Sequence, residues 1–309
     1  MRVIRDNPDR QVLGSSVVSI GNFDGLHLGH QALIQRCQSL AQGRCPIAIV
    51  TFEPLPQAWF SAHGAPARLM SVRQKLDYLA QVGIDLVWLM RFNSNLAAMP
   101  AEHFVQSVLV NVLAAKDVVV GEDFRYGKAR QGDTESLRGS GKKYGFKLHT
   151  VPMLNVNGLR ASSTSIRTYL AAGDMEQAKL LLGRAFRMTG RVIRGRQLGR
   201  QLGYPTANMR LSAPPSPLKG VFAIRARWGK SHWRDGVANL GTRPAVAGEG
   251  FLVEAHIFDF KGNLYGKRLE VEFVRKLRDE AHFEDIDDLV VQMREDERQA
   301  RKCLTLTED

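Results

Sequence analysis

Cysteine is scarce in this chain, with three in 309 residues: Cys37, Cys45 and Cys303. An odd number at such spacings fits neither a disulfide framework nor a zinc site. Cys37 falls on the apolar side of a helical pattern, where a thiol packs as a small hydrophobe. No apolar run is long enough to span a bilayer. The start, Met1-Arg2-Val3-Ile4-Arg5-Asp6, lacks the apolar stretch of a secretion signal. No membrane partner is expected, and a reducing cytoplasm is the expected setting. Acidic residues are in deficit, 31 against 43 basic ones, for a net charge of +12. Such a balance raises the question of nucleic acid. The positive charges are dispersed, however, apart from Arg191, Arg194, Arg196 and Arg200, which lie in a glycine-rich stretch suited to nucleotide phosphates. No recognition helix or zinc-finger pattern accompanies them, so no nucleic-acid partner is expected. A Walker loop is missing too, because Gly229-Lys230-Ser231 has Ile224 where the leading glycine belongs. The dinucleotide fingerprint Gly-x-Gly-x-x-Gly is also absent. Internal repeats are absent as well. Any phosphate must therefore be held by other means.

What is present is the run Gly21-Asn22-Phe23-Asp24-Gly25-Leu26-His27-Leu28-Gly29-His30. It follows an apolar strand, Val17–Ile20, and precedes a helix, Gln31–Gln42, with Leu33, Cys37, Leu40 and Ala41 on one face. Two histidines three apart project from one side of the first helical turn. That turn offers unpaired N–H groups and the positive end of the helix dipole. Gly21, Gly25 and Gly29 remove side chains where a ligand must approach the backbone. The pattern is a phosphate cradle with two imidazole donors; the bland alternative is a pair of helix-capping histidines. A zinc-protease reading fails, because such helices place Glu directly after the first His and here Leu28 stands there.

At this length two domains are expected. The first, 1–184, alternates strands and helices. Pro46–Thr51, Leu86–Met90, Asp117–Gly121 and Lys147–Val151 read as strands. Ser71–Val82, with Val72, Leu76, Leu79 and Ala80 inward, and Ala101–Ala114 read as helices. This order predicts a doubly wound parallel sheet with its site at the carboxyl ends of the strands. His27, His30, Phe52, Glu53 and Asp123 all follow strand ends. Ser165–Ala172 and Met175–Leu182 are short helices closed by Gly173 and Gly183. The second domain, 185–309, carries short β segments: Phe186–Ile193, Gly220–Trp228, His232–Asn239, Phe251–Phe258 and Arg268–Arg275. They predict a small antiparallel β-barrel. A last helix, Ile286–Cys303, turns Leu289, Met293 and Ala300 toward it.

The barrel half has its own constellation, Gly195-Arg196-Gln197-Leu198-Gly199-Arg200-Gln201-Leu202-Gly203-Tyr204-Pro205-Thr206-Ala207-Asn208. Gly195, Gly199 and Gly203 allow a loop to fold over phosphates; the alternative is a plain flexible turn before a strand. Thr206 and Asn208 share a face of an extended segment, and their oxygens suit Mg²⁺.

Taken together, these motifs resemble the bacterial bifunctional riboflavin kinase/FAD synthetase family over nearly the whole chain. The first half does so through Gly21–His30, Thr51-Phe52-Glu53-Pro54, Gly121-Glu122-Asp123-Phe124-Arg125-Tyr126-Gly127 and Ser162-Ser163-Thr164-Ser165-Ile166-Arg167. The second does so through Gly199–Asn208, Gly220-Val221-Phe222, Gly241-Thr242-Arg243-Pro244 and Glu254-Ala255-His256-Ile257-Phe258-Asp259-Phe260. The resemblance implies a nucleotidyltransferase-type α/β domain and a riboflavin kinase barrel, with ATP and Mg²⁺ and with riboflavin, FMN and FAD as substrates and products. In the α/β domain His27 and His30 would donate to the phosphates of ATP. Arg160, Ser163, Thr164 and Arg167 would line the far side. Asp123 is either a Mg²⁺ ligand or a plain turn residue. Phe52 and Phe124 either stack on flavin or belong to the core. Arg125, Lys128 and Arg130 face either phosphate or solvent. In the barrel the resemblance favours Glu254 as the base for the riboflavin hydroxyl, with His256 two residues on.

Departures from the family pattern are Leu55 where His is usual, Ala161 where a β-branched residue is usual and Ala245 where Thr is usual. Two rival expectations are a single-activity adenylyltransferase with a degenerate barrel and a non-catalytic flavin- or RNA-binding regulator. The intact Pro205-Thr206-Ala207-Asn208 and Glu254 speak against the first, and His27, His30, Thr206, Asn208 and Glu254 against the second, since binding alone needs fewer polar groups. Partners are expected to be small molecules, and self-association to be weak or absent.

Overall fold

The computed structural model describes residues 1–5, 11–61, 64–195, 199, 202–211, 216–241 and 252–306. It divides into two compact units: residues 1–66 with 72–161, and residues 67–71 with 162–309.

The first unit is a six-stranded sheet in the order β1-β4-β3-β2-β5-β6, every neighbouring pair parallel. Its strands are β1 (Arg2–Ile4), β2 (Ser16–Ile20), β3 (Ile47–Glu53), β4 (Leu86–Arg91), β5 (Ala115–Gly121) and β6 (Lys147–Val151). The central strands are buried on both faces, as their almost uninterrupted Val/Ile runs require. Helices α1 (Leu28–Ala41), α2 (Pro56–Phe60), α3 (Val72–Gln81), α4 (Ser94–Ala97), α5 (Ala101–Phe104) and α6 (Thr134–Tyr144) accompany the sheet. The helix predicted over Ala101–Ala114 is α-helical only in α5; it continues as a π-helix over Val105–Val112. A hairpin of β7 (Asn155–Val156) and β8 (Leu159–Arg160) ends the unit. Chain order reverses at β2, whose neighbours are β3 and β5. Such a switch point opens a crevice at the carboxyl ends of the strands, and the Gly21–His30 run leaves β2 there.

The second unit begins its main run with α7 (Ser163–Ala172) and α8 (Met175–Leu182), each ended by a left-handed glycine as predicted. A closed six-stranded antiparallel barrel follows, in the order β10-β13-β12-β11-β14-β9. Its strands are β9 (Phe186–Ile193), β10 (Thr206–Arg210), β11 (Gly220–Trp228), β12 (Arg234–Gly241), β13 (Leu252–Ile257) and β14 (Arg268–Arg278). Alternation fills the interior with residues such as Met209, Phe222, Val253, Ala255 and Phe273. Helix α9 (Ile286–Thr305) packs outside, with Ala300, Cys303 and Leu304 against Ala223 and Phe258. Leu289 and Met293 are only partly buried.

Two expectations change. Compactness joins α7 and α8 to the barrel unit rather than to the sheet, since α8 buries Met175, Ala178, Leu181 and Leu182 and packs on β9 and β14. In α3 the buried residues are Lys75 and Leu79, while Ala80 is exposed. Cys37 is fully buried, and burial pushes its thiol up to about 12, which suits a core filler and not a nucleophile.

Candidate active sites

The turn after β2 is tightly wound. Phe23, Gly25 and Leu26 all have left-handed φ, at 47°, 81° and 43°. Two of them are large apolar residues, for which this conformation is strained, and such strain gathers at working loops. Burial of Phe23 and Leu26 holds it in place. Gln31 Nε2 donates to the Leu26 carbonyl at 2.9 Å. Asp24, also buried, lies between them.

His27 occupies the N-cap of α1, but its side chain makes no capping hydrogen bond to the helix. That counts against the capping alternative. Instead the His27 and His30 rings stack, with centroids 3.7 Å apart, and Phe23 lies 5.0 Å from His30 on the turn side. The glycines serve this packing. A Cβ on Gly29 would meet the His27 ring at 3.1 Å, and one on Gly21 would meet the Phe23 ring at 3.3 Å. The space freed at these two positions is taken by the protein's own rings. Among the described residues no group of three or more His, Cys, Asp or Glu side chains could hold a metal ion.

Sequence reasoning missed Lys75. Its buried ammonium donates to the Asn22 carbonyl at 2.6 Å and to Thr51 Oγ1 at 3.2 Å. Thr51 Oγ1 donates to the same carbonyl at 3.0 Å. The turn is thus tied to the end of β3 and to α3. Replacing Lys75 by Met removes one of the two donors that reach that carbonyl among the described residues. The expected cost is about 1–3 kcal/mol in denaturant unfolding of the first unit, with loss of FAD formation and retention of FMN formation. An unfolding midpoint equal to the parent's would show that the tie carries no load.

The neighbouring strand ends hold the other predicted residues of this unit. Asp123 follows β5, and Arg160 Nη2 reaches its carboxylate at 2.6 Å. The expected metal ligand and the expected phosphate ligand are therefore paired with each other. Both are about half exposed, so the pair adds little stability and opens readily. Phe124 stacks on Tyr126 and packs against the core. Arg125 is engaged by Asp133 at 2.9 Å, whereas Lys128 and Arg130 are exposed. Phe52 touches the core and meets Phe92 edge-on at 6.0 Å. Phe92 also contacts Trp59 and Phe60, which remain 45% and 67% exposed. This aromatic shelf was missed in the sequence, where only Phe52 stood out. Leu55, at the family's usual His position, is buried, and its side chain packs inward.

Ser163, Thr164 and Arg167 belong to the second unit. Ser162 caps α7 by accepting from the Ser165 N–H, so Ser163 and Thr164 form its first turn. Arg167 Nε donates to the Ala67 carbonyl at 2.6 Å.

On the barrel, register decides what shares a face. Asn208 of β10 lies opposite Glu254 of β13, and Glu254 lies opposite Asn239 of β12. Thr206 lies opposite His256. Interior positions such as Met209, Val253 and Ala238 alternate with these, so the polar row is on the outer face. A Cβ on Gly195 would strike the Asn208 amide at 2.4 Å, and one on Gly199 would strike the Tyr204 carbonyl at 2.4 Å. These two glycines make room for protein groups at the site, and Gly203 alone of the three takes a left-handed φ, 84°. His256 Nδ1 donates to the Pro205 carbonyl at 3.0 Å, because a carbonyl can only accept; this fixes the ring against the Pro205–Asn208 segment. Arg196, Arg200, Thr242, Arg243, Pro244, Ala245 and Phe251 lie outside the described residues.

The family model for FAD synthetase matches residues 9–165, and that for riboflavin kinase matches residues 182–304. A curated bifunctional riboflavin kinase/FMN adenylyltransferase from Haemophilus influenzae is 41% identical, over 97% of this chain and 98% of its own length. The Escherichia coli relative of the same description is 42% identical, over 94% and 93%. A solved structure from Streptococcus pneumoniae, described as a macrolide-efflux protein, superposes with a TM-score of 0.84 at 28% identity, covering 97% of this chain and 99% of its own. Among the described residues no helix is long and apolar enough to cross a membrane. With both family models in order along one chain and the relatives matched end to end, the chain belongs to the bifunctional riboflavin kinase/FMN adenylyltransferase family.

Proposed function

We propose that the two activities, ATP-dependent phosphorylation of riboflavin to FMN and adenylylation of FMN to FAD, are carried by the barrel and the parallel sheet respectively. The stacked His27–His30 pair at the switch point supports the second assignment. The FMN phosphate attacks the α-phosphorus of ATP, and negative charge grows on the transferring group and on pyrophosphate. His27 and His30 donate to those oxygens. The Gly21–Gly29 turn, with Asn22, Phe23, Asp24 and Gly25, cradles them. Arg160 adds a phosphate ligand from the same unit, released from Asp123 when substrate binds. Fixed donors aimed at developing charge are the main resource in such transfers. The exposed Trp59 and Phe60 beside Phe92 and Phe52 offer the flat apolar surface a flavin ring needs.

The outer-face row Thr206, Asn208 and Glu254 supports the barrel assignment. A hydroxyl, an amide oxygen and a carboxylate are hard oxygen donors of the kind Mg²⁺ takes. Thr206 and Asn208 would hold the ion, and Asp123 would do so in the sheet unit; bound there it would neutralise phosphate charge. Glu254 takes the proton of the riboflavin 5′-hydroxyl as that oxygen attacks the γ-phosphorus. The Gly195–Gly203 segment supplies backbone N–H groups to phosphate. The cytoplasm, where ATP and free riboflavin meet, is the proposed location.

The test is to incubate the chain with riboflavin, ATP and Mg²⁺ and to separate riboflavin, FMN and FAD by chromatography. Truncation then assigns the chemistry. A fragment covering residues 184–309 is expected to make FMN and no FAD. One covering 162–309 is expected to do the same with a higher unfolding temperature, because it keeps the apolar face of α8 on β9 and β14. A folded fragment of either length that makes no FMN would overturn the division.

A further inference from the structure

One polar group on the barrel is left over after these assignments. Asn239 of β12 sits directly opposite Glu254, and its Oδ1 is buried with no hydrogen-bond partner among the described residues. Directly opposite residues of an antiparallel pair have Cβ atoms about 4.5–5.5 Å apart. A buried acceptor left unsatisfied costs about 1–3 kcal/mol and needs an explanation. The register row runs Asn208, Glu254, Asn239, Val221, Arg278 across five adjacent strands. At its far end the charge is closed, since Arg278 grips Asp296 of α9 through two hydrogen bonds of 2.9 and 2.7 Å. Val221, between them, is apolar and buried. Asn239 is therefore the point where the sealed part of the barrel face meets the row that handles substrate.

An amide oxygen accepts and cannot donate. The missing partner must bring an O–H or N–H to within reach of a group beside the proposed base. Riboflavin carries such donors in series, because its ribityl chain presents hydroxyls next to the one that is phosphorylated. We propose that Asn239 is a specificity and positioning residue for the kinase step, its Oδ1 accepting from a non-reacting ribityl hydroxyl while Glu254 faces the reacting one. This rests on the placement of the kinase site around Glu254. Its chemical consequence is orientation: a second hydrogen bond on the polyol turns the terminal hydroxyl toward the carboxylate. It also gives selectivity, since a site with a buried unpaired acceptor discriminates against an alcohol lacking the matching hydroxyl.

The experiment compares the parent chain with Asn239→Leu on riboflavin and on analogues that lack the 2′-, 3′- or 4′-hydroxyl but keep the 5′-hydroxyl. On riboflavin the variant should lose roughly 10–100-fold in kcat/KM for FMN formation, the scale of one unsatisfied buried group. The KM for ATP should stay constant, and so should FAD formation from supplied FMN. The deciding result is in the analogues: one of the three deoxy penalties seen with the parent should vanish in the variant. If all three persist undiminished, the proposal is overturned. It is equally overturned if the loss appears as a raised Mg²⁺ requirement, which would make the donor a metal-bound water. Should Asn239→Leu fail to fold, Asn239→Ala carries the same comparison without overpacking. Glu254→Gln run in parallel separates the two ideas: a parental rate there removes the site itself, whereas a slow Glu254→Gln with intact deoxy penalties in the Asn239 variant removes Asn239 alone.

Discussion

Replacing His30 by alanine is expected to lower FAD formation from supplied FMN and ATP by roughly 10²-fold or more, the scale for losing one oxyanion donor. The reaction asks little covalent chemistry of the protein. A phosphate attacks a phosphate ester, charge accumulates on oxygens already negative, and the enzyme's task is to have donors in place beforehand. In the proposed site that demand falls on His27 and His30. His30 is held between the His27 ring at 3.7 Å and the Phe23 ring at 5.0 Å, so it does not search rotamers when ATP arrives. Gly29 is required for the same reason, since a Cβ there would push on the His27 ring and on the Ala161 carbonyl. Truncating His30 removes a donor and a packing partner together. FMN formation by the barrel separates these effects. If FMN formation survives while FAD formation falls, the loss is chemical. If both fall equally, the histidine pair supports folding, and the adenylyl-transfer role passes to other residues.

Much of this site was legible because its residue types are costly to place by chance. Three glycines and two histidines between an apolar strand and a helix have few uses. The strands were legible for a simpler reason. Parallel strands buried on both faces, such as β3 and β4, are continuous apolar runs; β6 (Lys147–Val151) and the antiparallel barrel strands Phe186–Ile193 and Gly220–Trp228 have the predicted bounds. Helix α6 was not seen. Its sequence, Thr134 to Tyr144, is polar and contains Gly139 and Gly141, both poor helix formers. It stands on a capping box between Asp133 and Ser136, and Gly141 is there because a Cβ would strike the Phe146 carbonyl. Strand β1 and helix α2 are too short to show a period.

Lys75 shows the limit most clearly. Helical periodicity assigns charged residues outward, and in α3 it chose Ala80 for the interior. The lysine turns inward because the Asn22 carbonyl awaits it from 53 residues away, and no local pattern contains that partner. The same holds for Asn239, whose significance comes only from register with Glu254. The barrel glycines were legible as necessary, and the structure adds a second reason for two of them. Gly195 and Gly199 clear space for Asn208 and Tyr204, an arrangement visible only once β10 is folded beside them.

The largest effect on the first reaction is expected from Glu254→Gln. A primary alcohol is a weak nucleophile, and its proton must leave as the oxygen closes on the γ-phosphorus. Glu254 lies on the outer face of β13 between Asn208 and Asn239, half-buried, in a strand whose alternate residues Val253 and Ala255 fill the barrel. His256, two residues on and on the same face, is the competing acceptor. Its Nδ1–H donates to the Pro205 carbonyl, which fixes the ring against the segment that carries Thr206 and Asn208 and leaves Nε2 as its acceptor. Glutamine keeps the size and polarity of the side chain but has no basic oxygen. The variant should therefore fold, bind ATP, and make FMN about 10²–10⁴-fold more slowly, the usual share of general-base catalysis. FAD formation from supplied FMN should be nearly unchanged, because it uses the other unit. The measurement is the initial rate of FMN appearance at saturating riboflavin and ATP, with ATP binding followed separately by calorimetry. Riboflavin phosphorylation at the parental rate would take Glu254 out of the mechanism and leave His256 or water to receive the proton.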